Sequence, residues 1–93
     1  MTLGDLCEFK VNFPEADFWL VRKGDELSVG KPTKEFDSEK IGVKVVREDV
    51  LDPNYLYYVF MYLQSSGKLA SFAKGSLRLK NIRISDVKNI QIG

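Results

Sequence analysis

The sequence contains no histidine and a single cysteine, Cys7, among its 93 residues. Without histidine the chain lacks the side chain that most often acts as a general base and most often binds a metal. A Ser-His-Asp or Cys-His catalytic arrangement is therefore impossible. One cysteine excludes an internal disulfide, and a lone thiol is typical of a reducing compartment. We expect Cys7 to pack in the core.

Long apolar runs are missing as well. No stretch approaches the roughly 20 apolar residues of a membrane span, and residues 1–10 lack the basic start and apolar run of a signal peptide. These absences predict a cytoplasmic protein with no membrane partner. Hydrophobic residues make up 44% and charged residues 29% of the chain, which is ordinary globular usage. The length predicts one domain over residues 1–93.

Motifs for nucleotide, metal and catalytic chemistry are also absent. The chain has no glycine-rich phosphate loop and no cluster with metal-ligand spacing. Glu48 and Asp49 are adjacent carboxylates, but such pairs at the boundary of an element more often solvate a surface than form a catalytic dyad. We predict that the protein is not an enzyme and that it uses no cofactor or metal.

One segment has clear helix signals at both ends. Asp52 suits the N-cap, and Pro53 suits the first helical position because it has no N–H to leave unpaired there. Gly67 suits the positive φ that follows many helices. These signals predict a helix over about 53–66. Its wide apolar face, centred on Leu56 and Phe60, indicates a helix that organises the core or is partly buried by a partner.

The predicted helix also contains four tyrosines, Tyr55, Tyr57, Tyr58 and Tyr62. Aromatic rings can form stacking platforms for nucleic acid bases, but tyrosines also pack in cores with their hydroxyls at the rim. Because the four do not share one helix face, core packing is the favoured expectation.

The remaining elements predict an α+β fold, with a small mixed or antiparallel sheet packed against the main helix. We expect strands over 17–22, 41–47, 76–80 and 89–92, the third with Leu77 and Leu79 facing the core and Arg78 and Lys80 facing outward. Short helical segments are expected over 3–7, 68–73 and 86–88, the first capped by Thr2 and the last by Ser85.

Charge is unevenly distributed, although the net charge is only +1. Residues 1–46 carry seven basic and nine acidic side chains, whereas residues 47–93 carry seven basic and four acidic side chains. No acid lies between Asp52 and Asp86. The basic residues within that gap are Lys68, Lys74, Arg78, Lys80 and Arg83. Basic side chains at such spacing neutralise phosphates, and arginine also reads guanine; the alternative is an ordinary solvated strand face.

Several short motifs occur in a recognisable order. A helix start, Tyr55-Leu56-Tyr57-Tyr58, is followed by a short basic helix that ends in Lys74-Gly75-Ser76, and then by Ile82 to Ile92 in the pattern Ile-x-x-x-Asp-Val-x-Asn-Ile-x-Ile. This order resembles target recognition domains of type I restriction–modification specificity (S) subunits. The opening Leu3 to Glu8 and the segment Val43 to Leu51 are also similar, so the resemblance covers most of the chain.

The resemblance implies non-catalytic, sequence-specific binding of duplex DNA, since methylation and cleavage belong to partner proteins in that family. It implies a first set of DNA-facing residues at Lys74, Gly75, Ser76, Arg78 and Lys80. The polar loop with Lys31, Thr33 and Lys34 is a second candidate. The family joins two recognition domains through spacer helices, for which this sequence has no room. A stand-alone form, as in a phage or mobile element, would restore that arrangement as a homodimer.

The alternative is a protein-interaction module that keeps the fold without binding DNA. It would bind a host defence or replication partner through the 53–66 helix. Exposure distinguishes the two hypotheses. Solvent-exposed Tyr57, Tyr58 and Met61 would favour a protein partner, whereas their burial beside an open positive face would favour DNA.

Overall fold

The chain has an α+β fold, as the sequence predicts: a run of antiparallel strands follows the first short helix, and two consecutive helices, two short strands and a last helix follow that run. The structure is a computed structural model, and it describes residues 1–25, 27–75 and 79–92. The helices are α1 (Leu3–Leu6), α2 (Pro53–Ser65), α3 (Lys68–Phe72) and α4 (Ile84–Lys88). The strands are β1 (Cys7–Val11), β2 (Phe18–Leu20), β3 (Lys23–Gly24), β4 (Pro32–Thr33), β5 (Ile41–Val45), β6 (Lys74–Gly75) and β7 (Lys80–Asn81).

The larger sheet has four antiparallel strands in the order β1-β5-β2-β4. Its central strand β5 is apolar, with Ile41, Val43 and Val45 buried, because both of its edges are paired and one face meets the helices. On the edge strand β1, Glu8 lies opposite Lys44 of β5, so opposite charges meet where the sheet is open to solvent.

Helix α2 covers this sheet and completes the core. The Asp52 carboxylate accepts a hydrogen bond of 3.0 Å from the backbone N–H of Asn54, and Gly67 has φ 81° directly after the helix. Both end signals are thus in place, and the helix ends one residue before the predicted bound. Leu56 and Phe60 are fully buried, and the Phe60 ring lies 5.8 Å from that of Phe18 on β2.

A second, three-stranded sheet has the order β3-β7-β6. Its strands are two residues long and antiparallel, with Lys23 and Lys74 each paired to Asn81, and Gly24 and Gly75 each paired to Lys80. Gly75 has φ 111°, and a Cβ at this position would collide with the carbonyl oxygen of Leu79. Glycine is therefore required where β6 approaches β7 so closely.

Cys7 packs in the core, as predicted. It opens β1 and is buried. Burial, together with the charge of Asp17, raises the pKa of the thiol to about 11. The neutral thiol therefore predominates at physiological pH, so Cys7 behaves as a small apolar side chain.

Several predicted bounds are wrong, and four strands were not predicted, namely β1, β3, β4 and β6. Of these, only β1 is long enough to show a pattern, with Cys7, Phe9 and Val11 alternating with polar residues. The strands at 17–22 and 41–47 shorten to β2 and β5. The segment 89–92 forms only an isolated antiparallel bridge, Thr2 to Gln91, in which the Leu3 N–H donates to the Ile90 carbonyl and the Ile92 N–H donates to the Met1 carbonyl, each at 2.9 Å.

The prediction for the 76–80 strand also needs correction. Only Lys80 and Asn81 pair as β7, and Leu79 is 76% exposed, so Leu79 does not anchor a strand on the core. Leu77 lies outside the described residues. The last helix begins at Ile84, with Arg83 rather than Ser85 as its N-cap. The Asp86 carboxylate accepts the Arg83 backbone N–H at 2.9 Å.

Candidate nucleic-acid interface

Lys80 lies at the centre of the three-stranded sheet, between two glycines. Gly24 pairs with it from β3 and Gly75 from β6. Residues paired directly across an antiparallel sheet project to the same face, and glycine has no side chain, so neither partner covers Lys80. Within the described ranges, no carboxylate lies within ion-pair distance of its ammonium group. Lys80 can therefore offer its charge to a ligand.

An open cleft of about 590 Å³ lies beside Lys80. It is lined by Leu27, Gln64, Ser65, Gly67, Ala70, Ser71 and Lys80. The hydroxyls of Ser65 and Ser71 donate to helix carbonyls, at 3.1 and 2.6 Å, and the Gln64 amide donates to the Leu27 carbonyl at 2.6 Å. These donors already bond within the chain, whereas the Lys80 ammonium remains for an anion. One cation among neutral groups suits a single phosphate contact.

The second predicted set, the loop with Lys31, Thr33 and Lys34, lies near the N-terminal end of α2, whereas the cleft beside Lys80 lies near its C-terminal end. The Lys34 ammonium is 3.2 Å from the side-chain oxygen of Asn54 and 4.5 Å from the centre of the Tyr57 ring, which is cation–π geometry. The hydroxyl of Thr33, on the edge strand β4, accepts the backbone N–H of Glu35 at 3.2 Å. Lys34 and Thr33 thus contact groups of the chain itself.

Lys31 lies between the two groups. The Lys31 carbonyl accepts the N–H of Val21 at 3.0 Å. The carbonyl of Arg22, the residue after Val21, accepts the N–H of Ile82 at 3.0 Å, and Ile82 directly follows β7. The segment 21–22 therefore separates Lys31 from the strand that carries Lys80. The structure pairs Gly75 with Lys80 and places Lys74 opposite Asn81. Ser76 and Arg78 lie outside the described residues.

Arg83 belongs to the acid-free stretch but is not an open cation. Its guanidinium lies 3.1 Å from the Asp86 carboxylate, and this hydrogen bond raises the pKa of Arg83. Asp86 therefore offsets part of the basic charge that follows Lys80. No cluster of three or more His, Cys, Asp or Glu residues that could hold a metal ion occurs in the described part of the chain.

An exposed tyrosine face on α2 is the feature that the sequence analysis missed. Tyr55, Tyr58 and Tyr62 are 60%, 67% and 69% exposed, so the expectation that they pack in the core is wrong. At about 100° per residue, positions i, i+3 and i+7 lie within about 60° of one another. Tyr57 is half-buried, with its ring edge-on to Phe18 at 5.5 Å. The i, i+3, i+7 spacing was the available signal.

The tyrosine face, Tyr55, Tyr58 and Tyr62, extends to Met61, which is also exposed. No charged residue occurs anywhere in α2. Solvent-facing helix surfaces normally carry charges, so a neutral aromatic surface is typical of a contact surface. The sequence analysis takes exposure of Tyr58 and Met61 as the sign of a protein partner, so their exposure favours such a partner at this face. The face belongs to α2 and is separate from the three-stranded sheet.

The fold is that of a domain in a type I restriction–modification S subunit. The crystal structure of such an S subunit from M. genitalium matches 97% of this chain with a TM-score of 0.68 and 19% sequence identity. This chain covers 32% of that S subunit, about a third of its length. No protein-family model and no curated protein matches the sequence. No helix in the described ranges is long and apolar enough to cross a membrane.

Proposed function

We propose that the chain is a non-catalytic, cytoplasmic DNA-binding protein of the recognition-domain type. The observation that carries this proposal is the fold, which matches part of an S subunit over nearly the whole chain. The order of the Tyr55–Tyr58, Lys74–Ser76 and Ile82–Ile92 motifs, noted independently in the sequence, points to the same family.

The three-stranded sheet supplies the surface for this function. Lys80 has no carboxylate within ion-pair distance in the described ranges, so its half-buried side chain can offer its charge to a phosphate of the backbone. Lys23 is exposed on the adjacent strand β3, but it pairs with Asn81 and therefore projects to the face opposite Lys80. Lys74, Gly75, Ser76 and Arg78 precede Lys80 in the chain and belong to the proposed surface. Lys31, Thr33 and Lys34 form its outer part.

Fluorescence anisotropy with labelled mixed-sequence duplexes, at low and at physiological salt, tests the proposal. We expect binding that weakens as salt rises, because phosphate contacts release counterions. Lys10→Ala is a control, because Lys10 lies on the far edge strand β1 beside Glu8 and should leave binding unchanged. Absence of binding at both salts, with the protein folded, would contradict the proposal.

The tyrosine face favours a second candidate function, the binding of a protein partner through α2. The partner that fits it best is a second copy of this chain. An uncharged face meets its own copy without like-charge repulsion, and two-fold dimers are the commonest closed assembly. Three rings about two-thirds exposed supply roughly 300–500 Å² per copy, against about 800 Å² in a standard interface. Exposed Met61 and Val50 adjoin them and extend the contact.

Sedimentation velocity tests this dimer. We expect a dimer at micromolar concentration, and Tyr58→Glu should shift it to monomer because two like charges would then meet near the two-fold axis. Val46→Glu is a matched control, since Val46 is exposed after β5 and lies outside α2. A wild-type monomer at high micromolar concentration would refute self-association and leave a different protein as the partner.

A further inference from the structure

The outer side of α2 has the same spacing of side chains when it is read from either end. Positions i, i+3, i+4 and i+7 of one helix face are occupied by Tyr55, Tyr58, Val59 and Tyr62. The three tyrosines are exposed and Val59 is half-buried. Two copies of α2 that pack antiparallel, about a two-fold axis between positions 58 and 59, therefore match each other. Tyr55 then lies opposite the second copy's Tyr62, and Tyr58 lies opposite the second copy's Val59.

A groove of about 540 Å³ opens beside Tyr55, at the N-terminal end of α2. Its lining is mainly apolar and consists of Met1, Leu6, Val50, Leu51, Asp52, Tyr55 and Ile92. Among these residues Asp52 alone has a charged side chain. One oxygen of its carboxylate accepts the Asn54 N–H at 3.0 Å, and the other takes part in no hydrogen bond or ion pair with the residues that the structure describes. Apolar walls with one available carboxylate oxygen suit a lysine, which has an apolar stem and a charged end.

The antiparallel arrangement brings such a lysine, Lys68 of the second copy, to this groove. Lys68 follows the C-terminal end of α2, is exposed, and forms no ion pair within residues 1–25, 27–75 and 79–92. Along the helix direction Lys68 lies roughly 14 Å and Asp52 roughly 10 Å from the two-fold axis, on opposite sides of it. The difference of about 4 Å is within the reach of a lysine side chain. Both Lys68 and the groove lie on the flank of α2 that faces segment 90–92, and this axis keeps that flank on the same side in both copies.

The charges at the two ends of α2 select this orientation. In a parallel pair Lys68 would meet Lys68 and Asp52 would meet Asp52, and the helix dipoles would also repel. The charged side chains from the end of β5 to the start of α2 are Arg47, Glu48, Asp49 and Asp52. Arg47 and the amino group of Met1 offset two of the three carboxylates, which leaves one negative charge beside the groove. Lys34 lies on the other flank of α2, against Tyr57.

We infer that α2 packs antiparallel against α2 of a second copy, and that Lys68 of each copy lies in the groove of the other with its ammonium at Asp52. This inference rests on the second candidate function, self-association through the tyrosine face, and adds the orientation and the contact that fixes it. The two lysine contacts also bury Val50 and the groove walls, which supplies contact area that the three tyrosine rings lack.

Disulfide cross-linking between two different variants tests the orientation. Tyr55→Cys and Tyr62→Cys chains are purified separately, mixed and oxidised; the native Cys7 is buried and does not compete. We expect a covalent dimer from the mixture and little from either variant alone, because like positions lie roughly 10 Å apart along the helix, too far for a disulfide. Val46→Cys mixed with Tyr62→Cys is the matched control and should not cross-link, since Val46 is exposed outside α2.

Sedimentation velocity tests the lysine contact. Lys68→Ala and Asp52→Asn should each raise the dimer Kd about three- to thirty-fold, because the dimer holds two copies of this partly exposed ion pair. The double variant should be no weaker than either single variant, since both changes remove the same contact. Asparagine still caps the helix, so Asp52→Asn leaves α2 intact. Lys23→Ala is the control, an exposed lysine on the three-stranded sheet, and should dimerise as the wild type does.

Two kinds of result overturn the inference, and they are distinguishable from each other. If the wild type is a dimer but Tyr55→Cys cross-links with itself rather than with Tyr62→Cys, or Lys68→Ala dimerises as the wild type does, this arrangement is wrong and self-association stands. If the wild type is a monomer at high micromolar concentration, both the arrangement and the self-association fall, and the DNA-binding proposal is unaffected.

Discussion

Replacing Phe60 with alanine tests the packing of α2 on the larger sheet. Phe60 is fully buried, and its ring packs against Phe18. Phenylalanine-to-alanine changes at such sites cost about 3–5 kcal/mol, because apolar contact is lost and a cavity remains. A chain of this length has a total stability of roughly 5–14 kcal/mol, so the variant should lose a large share of it. Urea melts, extrapolated linearly to water, measure the difference.

An exposed apolar residue outside α2 provides the matched control. Val46 is 57% exposed after β5, so Val46→Ala should change the free energy of unfolding by less than about 0.5 kcal/mol. If Phe60→Ala leaves too little folded protein, Phe60→Leu keeps most of the side-chain volume and should give a smaller loss of the same sign. A loss under about 1 kcal/mol for Phe60→Ala, or equal losses for Phe60→Ala and Val46→Ala, would refute this packing.

Three further predictions concern single residues. Asp52→Ala removes the cap on the Asn54 N–H and should lower the free energy of unfolding by about 0.5–2 kcal/mol in urea melts, whereas Asp52→Asn should restore most of it. Cys7, with its pKa near 11, should react with iodoacetamide at pH 8 far more slowly in the native protein than in urea; equal rates would show that the thiol is not buried. Gly75→Ala should loosen β6 and β7, seen as faster hydrogen exchange of the Lys80 amide with α2 unaffected; unchanged exchange would contradict the close approach to Leu79.

Helix α2 could be predicted from the sequence because its signals are local. Asp52, Pro53 and Gly67 each act within a few residues of the helix end. The identity of Leu56 and Phe60 as core residues followed from their spacing alone. The observed helix ends at Ser65, one residue before the predicted C-terminal end.

The small strands could not be predicted in this way. β3, β4, β6 and β7 are two residues long, too short for an alternating pattern, and their pairing depends on segments distant in the chain. β1 did carry the alternation of Cys7, Phe9 and Val11. It follows the Thr2-capped turn without a break, however, and Cys7 was assigned to that helical turn. Tertiary pairing thus determined what local propensity could not.

The structure brings together only part of the residue set that the sequence predicts to face DNA. Lys80 and Gly75 do lie together, because β6 and β7 pair. Lys34 instead contacts Tyr57, since the edge strand β4 brings its loop beside α2. The exposure of Leu79 and of the tyrosine face was missed for one reason: the sequence marks residues as apolar but not which of them other segments cover.

The salt dependence of DNA binding by Arg78→Ala combined with Lys80→Ala tests the central claim most directly. Log affinity is measured against log salt for the double variant, for the wild type and for the Lys10→Ala control. If Arg78 and Lys80 both contact phosphates, the double variant should bind all duplexes more weakly, with a slope lower by about two. If one of them reads a base, the loss should instead be about 1–3 kcal/mol at one sequence position. A folded double variant with the affinity and slope of the wild type would contradict the account.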